Sequence, residues 1–292
     1  MTFNDDARIG KTTARRRGAG VAIAGGGVGL VGIAVLLISL FTGTDLTGLL
    51  GGGTADQGQG GGAGGQAITN CTTGAEANAS DECRLVAASV VIDTFWTQSL
   101  DGYRQPQLII VDGSTSTRCG TASNATGPFY CPPEETVYID PAFFGLLRQQ
   151  FGTDAGSLAQ MYVLAHEYGH HVQNLVGVMR DHPDNGTGPD SNGVRTELQA
   201  DCFAGAWVAD AAQVKDASGT AYLKPVTQAQ INDALAAAAA VGDDHIQQQS
   251  GGAVNPESWT HGSSDQRQRW FAAGYQGGVN ACDTFSVPGR SL

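Results

Sequence analysis

The sequence predicts an α+β domain, mostly helical with a small β-sheet, preceded by one transmembrane helix. Three observations carry this expectation: a charge-free apolar stretch at residues 19–41, short β-prone runs confined to residues 107–140, and helix-period apolar spacing through most of the remainder. A chain of 292 residues is long enough to cover at least one sizeable core.

Residues 1–18 form a basic head. Before position 18 there are five Lys/Arg against two acids, and after it 11 against 26. An acidic bulk argues against a nucleic-acid partner, because neutralising phosphates takes clustered Lys and Arg. From Ala19 to Phe41 no residue is charged. At the helical rise such a stretch extends about 35 Å, enough to cross a hydrocarbon core of about 30 Å. Arg15, Arg16 and Arg17 directly precede it, so the positive-inside rule places the N-terminus in the cytoplasm and the rest of the chain outside. The rival, a cleaved signal peptide, normally has a shorter apolar region followed by a small-residue cleavage site. Residues 42–66 contain Gly51-Gly52-Gly53 and Gly60-Gly61-Gly62 and read as a flexible linker with too little apolar surface to offset ordering. Residues 67–292 are then the extracytoplasmic domain of a single-pass cell-membrane protein.

Within the domain, Leu85, Ala88, Val91, Ile92 and Phe95 recur at helical spacing and predict a helix over Leu85 to Ser99. Strand-like runs follow at Gln107 to Val111, Gly127 to Cys131 and Thr136 to Asp140. The last two flank Pro132-Pro133-Glu134-Glu135, a hairpin signal. Asp140-Pro141 resembles an N-cap with proline at the first helical position, opening a helix to Gln150. Further helices are expected over Ser157 to Val176, Val194 to Ala212, Thr227 to Val241 and Ser264 to Tyr275. The third of these opens on the capping-box pattern Thr227-x-x-Gln230.

Six cysteines all fall after the apolar stretch, and an even number in an oxidising compartment favours disulfides. Cys71 with Cys83 and Cys119 with Cys131 are near neighbours, each closing a loop worth roughly 3 kcal/mol in the chain-entropy model. Cys202 with Cys282 is what remains. Buried free thiols are the alternative.

The most informative residues are His166-Glu167-Tyr168-Gly169-His170. Four apart on a helix, the two imidazoles share a face and can reach one ion. Glu167 adjoins the first of them, where its carboxylate can act as general base toward a water on that ion. Chance occurrence at this composition is roughly 0.3% for the motif. The apolar run Met161 to Ala165 before it predicts a buried helix, where unpaired His and Glu would be costly without a metal. One zinc ion is therefore expected. Gln173 and Val176 stand where a metzincin needs Gly and His. The third ligand must then come from elsewhere, and Glu197 on the later helix is the candidate. Asp201, on the same face, is placed to accept from the outer nitrogen of a ligand histidine. Asp201 as ligand, with Glu197 outside, is the alternative. His171 points away from the ligand face and reads as packing, while His182 reads as solvated and His245 as structural. His261, in Thr260-His261-Gly262-Ser263-Ser264 at a helix start, is a candidate for steadying a tetrahedral oxyanion.

These residues resemble the bacterial family of putative neutral zinc metallopeptidases. The segments that carry the resemblance include Asp45-Leu46-Thr47-Gly48-Leu49, Gly127-Pro128-Phe129-Tyr130-Cys131-Pro132, Val137-Tyr138-Ile139-Asp140 and Ala165-His166-Glu167 with Gly169-His170-His171-Val172-Gln173. They continue with Glu197 to Gly205, Gly242-Asp243-Asp244 and Thr260-His261-Gly262-Ser263. The resemblance implies a membrane-anchored, glutamate-zincin-like domain with His166, His170 and Glu197 as ligands and Glu167 as base. The Cys71 and Cys83 pair lies outside the matching part. The stretch from Gln173 to Arg195 is short and carries Asp181, Asp184 and Asp190. The expected activity is endopeptidase cleavage of a protein or peptide substrate. A cell-surface scaffold with a structural zinc and a hydrolase of non-peptide bonds are the alternatives.

Overall fold

A computed structural model of the chain describes residues 1–18, 65–151, 154–249 and 253–292. The expected transmembrane helix and nearly all of the expected linker lie outside these residues. Among the described residues no helix is long and apolar enough to cross a membrane. The fold is α+β, about half helical with a small sheet, in two compact units.

The smaller unit comprises, of the described residues, 13–18, 65–70 and Pro106–Phe143. Its strands are β1 (Arg15–Gly18), β2 (Gln66–Ala67), β3 (Gln107–Asp112), β4 (Ser114–Thr117), β5 (Gly120–Ser123), β6 (Phe129–Cys131) and β7 (Thr136–Ile139). Five of them form one sheet in the order β2-β1-β3-β7-β6, and β4 pairs with β5 as a separate ribbon. β6 and β7 make the expected antiparallel hairpin, Cys131 opposite Thr136, and Glu135 closes it in the left-handed region at φ 46°. Ile109, Val111, Ala122, Phe129, Cys131 and Tyr138 form its apolar cluster, crossed by the Cys119–Cys131 disulfide.

The larger unit spans Met1–Thr12, Cys71–Gln105 and Phe144–Leu292. It holds α1 (Gly74–Ala79), α2 (Asp81–Ser99), α3 (Phe143–Phe151), α4 (Ser157–Val176), α5 (Val178–Asp181), α6 (Asn192–Asp210), α7 (Gln228–Ala240), α8 (Asp243–Gln249) and α9 (Ser264–Gly277). Hydroxyl caps start several of these helices: Ser80 on α2, Ser191 on α6, and full capping boxes at Thr227 on α7 and Ser263 on α9. α3 begins two residues later than Pro141 suggests, because Asp140 spends its carboxylate on the Ala142 N–H in a turn. The remaining cysteines join as Cys71–Cys83 and Cys202–Cys282.

Residues 1–18, expected as a separate basic head, are instead woven into the fold. Phe3 and Ala7 are fully buried in the helical unit. Asn4 N–H donates to Tyr222 O and Lys224 N–H to Thr2 O, each at 2.9 Å. In the smaller unit Arg15, Arg16 and Arg17 occupy β1, between β2 and β3. A charge-based reading misses this because the partners of the head, at 72–78 and 214–224, are remote in sequence.

Candidate metal centre

α4 and α6 pack side by side, and Gly169 permits their close approach. A Cβ at position 169 would lie 3.0 Å from Ala200 Cα. That contact sets His166 and His170 on α4 against Glu197 and Asp201 on α6.

Ligand atoms of His166, His170 and Glu197 come within 4.8 Å of one another. Glu197 Oε2 is 3.1 Å from His166 Nε2, and its Oε1 is 3.5 Å from His170 Nε2. Zinc bonds of about 2.0–2.1 Å in a tetrahedron require donor–donor edges of about 3.3 Å, and the two histidine–carboxylate distances lie close to that edge, so the group could hold a metal ion. The two imidazole planes are nearly perpendicular, at 88°. Among the described residues the donor group numbers three, two nitrogens and a carboxylate.

The outer nitrogens are fastened. His166 Nδ1 lies 2.8 Å from Asp201 Oδ1, and that carboxylate also accepts from the Tyr162 hydroxyl at 2.5 Å. Arg267 from α9 closes the group with two parallel bonds, Nε to Oδ2 at 2.8 Å and Nη2 to Oδ1 at 2.9 Å. Asp201 is fully buried and committed to three partners on the outer side of His166, whereas Glu197 faces the inner nitrogens of both histidines. Geometry therefore favours Glu197 over Asp201 as the carboxylate ligand.

His170 Nδ1 lies 2.8 Å from Gln173 Oε1. The amide orientation of Gln173 is set, because its Nε2 donates to the Thr196 carbonyl at 2.7 Å and to Gln199 Oε1 at 3.1 Å. Oxygen faces the ring, so Nδ1 carries the proton and Nε2 presents a lone pair to an ion.

The titratable groups of the centre shift one another strongly. Burial lowers the His166 pKa, but Asp201 and then Glu197 outweigh it and push it up to about 10. Burial raises Glu197, yet His170, His166 and His261 hold it far below the usual carboxylate range. Glu167, only 3% exposed, is pushed upward mainly by its burial, against the pull of His166 and His170.

His261 sits at the start of the segment leading into α9. Asp243 Oδ2 accepts the backbone N–H groups of Thr260, His261 and Gly262 at 2.7, 2.7 and 3.0 Å, and its Oδ1 lies 3.3 Å from His261 Nδ1. The imidazole is held with Nε2 free of that clamp and within the field of Glu197. Among the other histidines, His171 is buried with Nε2 2.7 Å from Arg104 O, in a packing position as expected. His182, read as solvated, stacks on Phe285 at 3.9 Å while remaining exposed.

Tyr162, Gln173, Asp243 and Arg267 are members of this centre that sequence reasoning did not assign to it. Tyr162 stands four residues before His166 and Gln173 three after His170, so helical spacing held a signal for both. Asp243 and Arg267 meet the centre through tertiary packing alone.

The helical unit therefore presents a two-histidine, one-carboxylate group that could hold a metal ion, braced on its outer side. The chain belongs to the family described as "Putative neutral zinc metallopeptidase", whose model matches residues 3–285. It is 52% identical over 222 residues to an uncharacterized protein of Mycobacterium tuberculosis, covering 75% of this chain and 76% of that one. It is 39% identical over 285 residues to an uncharacterized protein of Escherichia coli K12, covering 94% and 91%. No solved structure matches.

Proposed function

We propose that the protein is a zinc-dependent peptidase, an endopeptidase acting on protein or peptide substrates outside the cytoplasmic membrane. The observation that carries this reading is the convergence of His166, His170 and Glu197 donor atoms within 4.8 Å of one another, with the outer nitrogens of both histidines already tied down. Among the described residues three protein donors converge, which leaves a coordination position for chemistry, whereas a structural zinc normally takes four. Three disulfides support placement in an oxidising compartment.

In this reading His166, His170 and Glu197 hold the ion. Zinc bound there supplies polarisation of the scissile carbonyl and lowers the pKa of a water toward about 7. Glu167 accepts the proton of the attacking water and returns it to the leaving amine, work that suits a carboxylate whose pKa burial has raised. His261, whose burial is outweighed by Asp243 and Glu197 so that its pKa is raised, donates from Nε2 in its imidazolium form to the carbonyl oxygen as that oxygen gains charge.

The test is a peptide library incubated with wild type and with Glu167→Gln, with and without a chelator. Wild type cleaves internal bonds and loses that activity to the chelator. The variant keeps its zinc by metal analysis and cleaves at least 10³-fold more slowly, on the order of the loss of a general base. Cleavage by the zinc-loaded variant at the wild-type rate overturns the assignment.

A further inference from the structure

The head packs where a single membrane crossing would forbid it. Residues 2–9 pair with two separate parts of the helical unit. Besides the bonds to Tyr222 and Lys224, Ile9 N–H donates to Thr72 O at 2.8 Å and Gly74 N–H to Ala7 O at 2.9 Å. Arg8 and Thr73 are thereby antiparallel bridge partners. The Asn78 side chain binds both the N–H and the carbonyl of Phe3. The start of α1 is moulded on the head as well: a Cβ on Gly74 would lie 1.8 Å from Asn4 O.

Residues 15–18 are equally integral to the other unit. β1 is an interior strand, Arg15 standing opposite Ala67 of β2 on one side and Ile109 of β3 on the other. The chain thus leaves β1 after Gly18 and returns into β2 at Gln66, on a directly hydrogen-bonded neighbour. Such strands are about 4.8 Å apart. The three arginines that would retain the N-terminus in the cytoplasm are residues of that interior strand. The stretch shared with the family begins at residue 3, inside the head.

Between these points the sequence offers one apolar run, 19–41. A return crossing would need about 20 further apolar residues, and residues 42–64 are glycine-rich and carry Asp45 and Asp56. One crossing would put the head and residues 65–292 on opposite sides of the bilayer and strip β1 from its sheet.

We propose that residues 1–18 and 65–292 lie on the same side of the membrane, and that the 19–41 run attaches the chain to the lipid of the facing leaflet without placing a crossing between them. This replaces the single-pass arrangement suggested by the arginine cluster. It stands independently of the peptidase reading.

The test uses the full chain in bacterial cells. All six cysteines are paired, so an engineered thiol is the only free one. Asp6→Cys and Ala217→Cys place thiols on exposed positions of the head and of the helical unit. Each variant is treated with a membrane-impermeant maleimide before and after permeabilisation, and its membrane fraction is washed at high salt. The expected result is the same accessibility at both positions and a chain that stays with the membrane until detergent is added. Labelling of one position on intact cells and of the other only after permeabilisation overturns the proposal, as does recovery of the chain in the soluble fraction. A second variant tests docking directly: Arg8→Cys/Thr73→Cys forms a crosslink in the membrane under mild oxidation, and two persistently free thiols there also overturn it.

Discussion

Gln173→Met tests whether the outer brace of His170 holds the metal. Methionine has nearly the length and volume of glutamine, so the buried site stays filled while three polar contacts disappear. The contacts are the bond from His170 Nδ1 and the two donated to Thr196 O and Gln199 Oε1. Losing the first leaves the ring free to rotate and its N–H unpaired. Removing such a partner typically weakens metal affinity 10–100-fold, or about 1.4–2.7 kcal/mol. Stripping the Thr196 carbonyl and the Gln199 amide of their donor costs the fold a further ~1–3 kcal/mol. Gln173→Glu separates the two effects. Its carboxylate still accepts from Nδ1 but turns its second oxygen toward the Thr196 carbonyl and Gln199 Oε1, so it retains more zinc affinity than methionine while losing more stability. Zinc affinity is read by competition with a chromophoric chelator and stability by chemical unfolding of the metal-free protein. A methionine variant that binds zinc within twofold of wild type refutes the argument.

Arg267→Met leaves the fully buried Asp201 carboxylate without its counter-ion, and a loss of about 3–5 kcal/mol in unfolding free energy is expected; a loss below 1 kcal/mol would show that the pair does not brace the centre. Asp243→Asn loosens the turn that aims His261, so kcat should fall about tenfold or more with zinc content unchanged; an unaltered kcat refutes the role. Burial pushes Asp93 up to about 7 against a smaller opposing pull from the Tyr103 hydroxyl. From its ordinary pKa near 4 up to 7 the unfolded chain is ionised there while the native one holds the proton, so this group's contribution to stability declines as pH rises through that window. Asp93→Asn lacks that slope and should gain on wild type by at most about 4 kcal/mol between pH 4 and pH 8; equal gaps at the two pH values contradict it.

The parts of this protein legible in the sequence are those whose partners are a helical turn or a short loop away. His166 and His170 share a face by spacing, as do Glu197 and Asp201, and Thr227 with Gln230 announces the start of α7. The three cysteine pairs follow from proximity and remainder. Tertiary features stayed hidden. β4 and β5 are a Ser/Thr-rich ribbon with no apolar alternation to betray them. Arg267 is one charge among many until α9 lies along α6. The head shows the strongest conflict: charge counting assigns Arg15, Arg16 and Arg17 to a membrane flank, and strand pairing assigns them to a sheet.

α6 explains why a site so exacting can be built from helices rather than loops. One face presents Glu197 and Asp201 to the histidines. The flanks receive the bonds that keep that face from turning. Gln199 donates to Cys282 O at 2.9 Å, Thr284 donates to Arg195 O at 2.8 Å, and Cys202, next to Asp201, is bonded to Cys282. Closing that 80-residue separation is worth about 4–5 kcal/mol in the chain-entropy model. α9 crosses the same segment closely enough that a Cβ on Gly274 would strike Cys202 O. Rotation of α6 by even a fraction of a turn would therefore break the tail contacts, the disulfide geometry and the Arg267–Asp201 pair together. Glu197 and Glu167 repel one another, and this bracing supplies the resistance that keeps Glu197 aimed at both imidazoles.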